Sequence, residues 1–291
     1  MTKLTVGMAQ IYPKLGDIPC NLQKHLQLMD DFAQQGGQLI VFPELSLTGY
    51  YLRDLVAELA SKPTPDDPVF GPLLKKSKEL QLEAVVGFVE EDSRGRFYIS
   101  AAYLSRGDVL HVHRKVYLPD YTMFEDKKFF ATGSSLRAFD TFYGRVGMLI
   151  CEDFWHVSPP YVLWMDGADV LIFINASPGR GLGKEEKLAT SSWIEMVSQA
   201  YAGLFTNYVI QCNRVGFEDG VNFGGGSTLI SPDGVELVHG PYFEETLLMY
   251  TIDLNDLRRT RARLPLLRDE RPDLLIHEMN RIVMQNGING R

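Results

Sequence analysis

Short apolar runs alternate with amphipathic stretches along nearly the whole chain. Residues 4–9 alternate well enough for a first strand. In 21–35, Leu22, Leu26, Met29 and Ala33 fall near helical spacing, and Gly36 and Gly37 end the helix. Residues 38–42 read as a short strand cut by Pro43. This strand–helix–strand order implies an α/β layer architecture. Helices are expected over 52–60 and 69–81, separated by a loop at 61–68 with three prolines. Strands follow at 84–89, 97–104 and 109–114, with turns at Gly95 and Gly107-Asp108. Residues 120–133 read as a loop too aromatic for an idle linker. Further strands are expected at 144–150, 170–174, 207–212, 227–230, 236–238 and 247–252, and helices at 159–165, 184–204 and 271–284.

The run from Val146 to Ile150, led by Gly144, is nearly all apolar on both alternating faces, as in a strand buried on both sides. It stops at Cys151, and Glu152 and Asp153 follow. A thiol where a buried strand turns has the geometry of a nucleophile elbow: the strand holds the sulfur, and the turn aims the next backbone N–H at whatever the sulfur attacks. The alternative is an inert core cysteine.

Two other polar residues stand in the same kind of place. Glu44 and Lys115 each follow a short apolar strand, and α/β folds gather their sites at that edge. Glu, Lys and Cys together suffice for acyl transfer. The thiol attacks a carbonyl-like carbon, the carboxylate moves the proton, and the ammonium stabilises the oxyanion. A nearby lysine is expected to lower the cysteine pKa, and to oppose the effect of burial on Glu44. Period-two alternation places His111, His113 and Lys115 on one face. No third ligand joins the two histidines at convincing spacing, so neither a metal nor a cofactor is expected.

Composition narrows the classes. The 291 residues allow one large domain or two small ones; no linker or repeat divides them, which favours one α/β domain. Net charge is 29 − 37 = −8, and the best basic cluster, 258–263, is interrupted. Nucleic-acid and anionic-membrane partners are therefore not expected. Three well-spaced cysteines without CxxC favour a reducing compartment. The N-terminus does not read as a signal peptide, and no apolar window approaches the ~18 residues of a membrane span. A cytoplasmic protein is expected.

Phe42-Pro-Glu44-Leu, Lys115-Val-Tyr-Leu-Pro and Gly147-Met-Leu-Ile-Cys151-Glu-Asp resemble, in order, the three signature blocks of the nitrilase (carbon–nitrogen hydrolase) superfamily. Asn175-Ala-Ser, Asn213-Arg-Val-Gly and Gly225-Gly-Ser-Thr-Leu-Ile extend the resemblance over residues 4–252. It implies a four-layer αββα sandwich, a hydrolase domain over 1–255, and a helical extension over 256–291 at a subunit interface of a homodimer or higher homo-oligomer. It also implies Glu44, Lys115 and Cys151 as catalytic residues. A second acid falls by register on Asp126, with Glu125 as the neighbouring alternative.

Cys-Glu-Asp in place of Cys-Trp-Glu favours amides over nitriles. The run from Cys151 to His156 is most similar to glutamine-hydrolysing domains of NAD synthetases, without the phosphate loop of their synthetase half. By that similarity Glu152 is a candidate for a substrate ammonium. Tyr121, Trp155, Ser177 and Arg180 complete the substrate-binding candidates, Arg180 by its bidentate fork; the alternative is core and loop packing for Trp155 and a mobile loop residue for Arg180. The expectation is a cysteine amidohydrolase that cleaves a small carboxamide through a thioester and releases ammonia. The alternatives are a nitrile or N-carbamoyl hydrolase, or a non-catalytic small-amide sensor.

Overall fold

A computed structural model describes residues 3–179 and 187–286. Two six-stranded sheets form its centre. The first contains β1 (Lys3–Gln10), β2 (Leu39–Val41), β3 (Glu83–Glu91), β4 (Phe97–Ser105), β5 (Asp108–Arg114) and the late strand β14 (Thr246–Asp253), in the order β14-β1-β2-β3-β4-β5. The second contains β6 (Phe139–Thr141), β7 (Gly144–Ile150), β8 (Val170–Asn175), β9 (Tyr208–Asn213), β12 (Thr228–Ile230) and β13 (Glu236–His239), in the order β13-β12-β9-β8-β7-β6. Each has three parallel strands in its middle, β1-β2-β3 and β7-β8-β9, with antiparallel neighbours outside. A separate ribbon pairs β10 (Val215–Glu218) with β11 (Val221–Gly224).

Period-two alternation makes four layers out of these strands. On β7, Val146, Met148 and Ile150 point between the sheets, where they meet Leu4, Val6, Met8 and Val85 of the first sheet. Leu149 points the other way, towards α5 (Ser158–Met165) and α6 (Ala189–Phe205). Gly147 shares that outer face; a Cβ there would lie 2.8 Å from Leu163 of α5, so the glycine sets how closely the helix approaches. On the first sheet, Ile40, Ala84 and Val86 face α1 (Ile18–Gln34) and α3 (Phe70–Leu80). The order is helix, sheet, sheet, helix, the αββα sandwich.

Some local expectations needed correction. The helix expected over 52–60 is a 3₁₀ turn, Arg53–Leu55, and a single α turn, α2 (Val56–Leu59). The loop expected over 120–133 contains another turn, α4 (Asp126–Phe129). The helix expected over 184–204 is described as α6 from Ala189; residues 184–186 lie outside the described residues. The ribbon β10–β11 was not anticipated. After β14 come α7 (Asn255–Arg263), α8 (Leu266–Asp269) and α9 (Pro272–Asn286). α7 buries Leu257 and Thr260, and its Arg261 donates to Asp169 at 2.6 Å. α9 leaves Leu274, Ile276 and Met279 exposed. Among the described residues, no helix is long and apolar enough to cross a membrane.

Candidate active site

The middle strands of both sheets end at one edge, and the polar residues singled out above emerge there. Val41 of β2 is level with Val85 of β3, and Ile150 of β7 with Ile174 of β8. Beyond Val41 the chain turns through Pro43, and Glu44 is fully buried. The turn lies directly on β3. A Cβ at Gly87 would fall 2.4 Å from the Pro43 carbonyl oxygen and 2.6 Å from the Leu45 nitrogen, so only glycine fits beneath Glu44. His25 of α1 braces the same turn through its ring nitrogens, one 2.7 Å from the Asn21 carbonyl oxygen and the other 2.9 Å from Ser46 Oγ.

Lys115 follows β5 and is also fully buried. Its Nζ donates to Glu44 Oε1 at 2.7 Å and to Asp126 Oδ2 at 2.9 Å. The other oxygens of both acids are used: Glu44 Oε2 accepts the Ala176 N–H at 2.8 Å, and Asp126 Oδ1 accepts the Tyr50 hydroxyl at 2.8 Å. Of the two acids offered by register, Asp126 is the one at Lys115. Glu125 lies on the surface, 3.6 Å from Lys128. Tyr50 is held in turn by Glu218, whose Oε1 accepts the N–H groups of Tyr50 and Tyr51 at 2.7 and 2.6 Å. Arg214 neutralises Glu218 at 2.7 Å, both being buried.

Cys151 is buried and has φ +45°, inside the left-handed region that L side chains avoid. This is the backbone signature of an elbow: β7 ends, and a 3₁₀ helix, Cys151–Trp155, begins on the thiol itself. Its first N–H groups, including that of Glu152, have no helical partner to occupy them.

At the sulfur the lysine acts in the expected direction, but burial outweighs it. Burial holds the Cys151 thiol well above its ordinary pKa, Glu44 adds to this, and Lys115 opposes it without prevailing. The lysine is itself already paired with two carboxylates. Burial likewise raises the Glu44 pKa, with Lys115 pulling down and Asp126 pushing up. Burial alone would lower the Lys115 pKa, but Asp126 and Glu44 outweigh it and hold the ammonium well above its usual value.

A narrow pocket opens on Cys151, lined by Phe124, Glu152, Trp155, Ser177, Pro178 and Thr190. Four of the five substrate-binding candidates lie in or beside it. Ser177 is 4% exposed, and its Oγ has no hydrogen-bond partner among the described residues. Trp155 stacks on Trp193 with ring centres 4.1 Å apart, so it is both wall and packing residue. The Tyr121 hydroxyl donates to both carboxylate oxygens of Glu152 at 3.0 Å. Arg180 lies outside the described residues. Glu44, Asp126 and Glu152 set against Lys115 leave the pocket with a net charge of about −2 if all are ionised, a field suited to a cation.

Sequence reasoning missed four participants. Tyr50 and Glu218 were hidden because their partners are far away in the chain. Asp153 was read only as the second acid after the cysteine, yet it is fully buried and bonded to His113 at 2.8 Å. The alternation that placed His113 and Lys115 on one face was the available clue. The Ala176 N–H carried no side-chain signal at all. His111 instead stacks on Phe139, ring centres 4.3 Å apart. Among the described residues, no group of three or more His, Cys, Asp or Glu is placed to hold a metal.

Comparison with known proteins agrees with this fold. Residues 5–262 match the carbon–nitrogen hydrolase family. A glutamine-dependent NAD(+) synthetase of Thermotoga maritima is 31% identical over 261 residues, covering 88% of this chain and 43% of that protein. The chain thus spans less than half the length of that relative. An N-carbamoylputrescine amidase of Solanum lycopersicum is 27% identical over 270 residues, with 89% of each chain covered. A crystal structure of a carbon–nitrogen hydrolase from Helicobacter pylori shares the fold, with a TM-score of 0.83 at 23% identity over 93% of this chain and 96% of that one. With a buried Glu–Lys–Cys group at one sheet edge and a family match over most of its length, this chain belongs to the carbon–nitrogen hydrolase family.

Proposed function

We propose that the chain is a cysteine amidohydrolase that cleaves a small carboxamide carrying a cationic group and releases ammonia. The observation that carries this reading is the joint burial of Glu44, Lys115 and Cys151 at one sheet edge, with Lys115 Nζ 2.7 Å from Glu44 Oε1 and burial raising the Glu44 pKa. A carboxylate with a raised pKa is the better acceptor for a thiol proton. In the proposed cycle, Cys151 Sγ attacks the amide carbon as its proton passes to Glu44. The oxyanion is stabilised by the Lys115 ammonium and the Glu152 backbone N–H. Glu44 returns the proton to the leaving nitrogen, the C–N bond breaks, and ammonia departs from a thioester. Glu44 then takes a proton from water, the hydroxide adds to the thioester, and collapse gives the acid and the thiol. Asp126 fixes the ammonium opposite Glu44.

Glu152 is the proposed partner of the substrate cation, held by Tyr121 and standing next to the nucleophile. Both the glutamine of the synthetase relative and the N-carbamoylputrescine of the amidase relative pair a cleavable C–N bond with an ammonium, which supports this choice of substrate class. Ser177, and Arg180 beyond it, are proposed for a polar group at the other end of the substrate.

The test is a panel of glutamine, asparagine, N-carbamoylputrescine, simple aliphatic amides and their nitriles, read by ammonia release and intact mass. We expect release from an amide bearing an amine, with an acyl adduct of the mass of substrate minus ammonia. Cys151→Ala should abolish the adduct and lower turnover by on the order of 10⁴ or more. Ammonia release that survives this substitution sinks the mechanism. Reaction of nitriles alone, carbon dioxide released with ammonia, or binding without turnover would favour the nitrilase, carbamoyl-hydrolase or sensor readings instead.

A further inference from the structure

The Asp153 carboxylate is fully buried and accepts four hydrogen bonds. Its Oδ1 takes the backbone N–H groups of Val116 and Tyr117, each at 2.9 Å. Its Oδ2 takes the Ile150 N–H at 3.1 Å and His113 Nε2 at 2.8 Å. A carboxylate accepts and does not donate, so this network assigns the proton to His113 Nε2.

All four donors are neighbours of reacting groups. Ile150 immediately precedes Cys151. Val116 and Tyr117 immediately follow Lys115, and His113 lies two residues before it on the same face of β5. Cys151 and Lys115 come from different sheets, β7 and β5. Apolar packing joins those sheets, but it is non-directional and says little about the distance between two particular atoms. Charge-assisted hydrogen bonds are short and directional. The bond from Ile150 to Asp153 also closes a loop around Cys151, the residue with the strained φ of +45°.

We infer that Asp153, with His113 behind it, is a positioning pair that sets the separation of the Lys115 ammonium from the Cys151 sulfur. Neither residue lines the pocket at Cys151. Glu44 and Asp126 fix where Lys115 points; Asp153 fixes where the lysine and the thiol stand relative to each other. If that tie loosens, the lysine is lost to the thiolate and to the oxyanion together. The kinetic part of this inference rests on the thiol mechanism proposed above; the geometric part does not.

The experiment compares Asp153→Asn, His113→Leu and His113→Gln with the wild-type chain. Iodoacetamide alkylation of Cys151, followed by peptide mass mapping across pH, reads the thiol without any substrate. Glutamine turnover gives kcat and KM separately. A glutamine amide nitrogen can reach the position of His113 Nε2 and donate to Asp153, whereas leucine cannot. We expect Asp153→Asn and His113→Leu to slow alkylation at neutral pH by about tenfold or more and to move its pH limb upward. In turnover they should lower kcat with little change in KM. His113→Gln should stay within about threefold of wild type. Circular dichroism and thermal melts establish that each variant is folded; if Asp153→Asn is not, the two His113 variants decide.

The inference is overturned if folded Asp153→Asn and His113→Leu alkylate with the wild-type rate and pH profile. It is also overturned if His113→Gln is as impaired as His113→Leu, which would reduce His113 to packing. A wild-type chain that is alkylated at Cys151 but hydrolyses no amide would sink the proposed function, and the alkylation arm would still decide this inference.

Discussion

A carboxyl group that must take a proton from a thiol gains from an environment that raises its own proton affinity, and Glu44 has one. It is buried, faces a second acid in Asp126, and is kept ionisable by Lys115 and the Ala176 N–H. The base works only when ionised, so activity must be lost as pH falls through its folded-state pKa. Because that pKa lies above the ordinary carboxylate value, the acid limb of kcat/KM should lie above pH ~4.5. Ammonia assays across pH on the best substrate of the panel would locate it. Glu44→Gln keeps the shape and an acceptor for Lys115, but removes the proton shuttle. We expect turnover to fall by about 10²-fold or more while circular dichroism is unchanged. A Glu44→Gln variant with wild-type turnover would place the base elsewhere.

At the scale of elements, the site depends on how close two pieces of backbone can come. The Glu44 turn rests on β3 at Gly87, where an added Cβ would meet the backbone of Pro43, Glu44 and Leu45 within 2.9 Å. Backbone cannot swing aside as a side chain does. Gly87→Ala should therefore lift Glu44 away from Lys115, costing about 1–3 kcal/mol of stability and about 10²-fold in turnover. Urea melts and the ammonia assay measure the two effects separately; unchanged turnover would mean that the turn moves as a unit. The ribbon β10–β11 shows the same dependence on long-range support. It carries Glu218, whose bonds to Tyr50 and Tyr51 connect the ribbon, through Tyr50, to Asp126.

At the scale of the whole molecule, pH acts on the fold as well as on the chemistry. His25 of α1 is fully buried against the Glu44 turn, and burial lowers its pKa from the ordinary 6.5 to about 4. Between those values the unfolded chain takes up a proton that the folded chain refuses. Stability should therefore fall as pH drops from ~6.5 towards 4, by about 3 kcal/mol from this group. His25→Gln should flatten that part of the curve in urea melts recorded at several pH values. An unchanged slope would mean that other groups dominate, with His111, also lowered to about 4 by burial, the next to test.

Much of this protein was legible in its sequence because strands and turns leave local marks. A strand buried on both faces writes a continuous apolar run, as at 146–150, and Glu44, Lys115 and Cys151 each stand out against the run before them. The order of strands and helices was enough for an α/β architecture, and the signature blocks for the layers. Short helical turns were harder: 53–59 and 126–129 are too short to show a 3.6-residue period, so one was overread and the other missed. Tertiary structure alone decided the rest. Which acid meets Lys115 depends on how residues 120–133 fold back, and the state of the Cys151 thiol depends on burial outweighing one lysine already held by two carboxylates. Asp153 belongs to both histories. Its place two residues after the nucleophile is written in the chain, but its four donors come together only when β5 and β7 face each other across the two sheets.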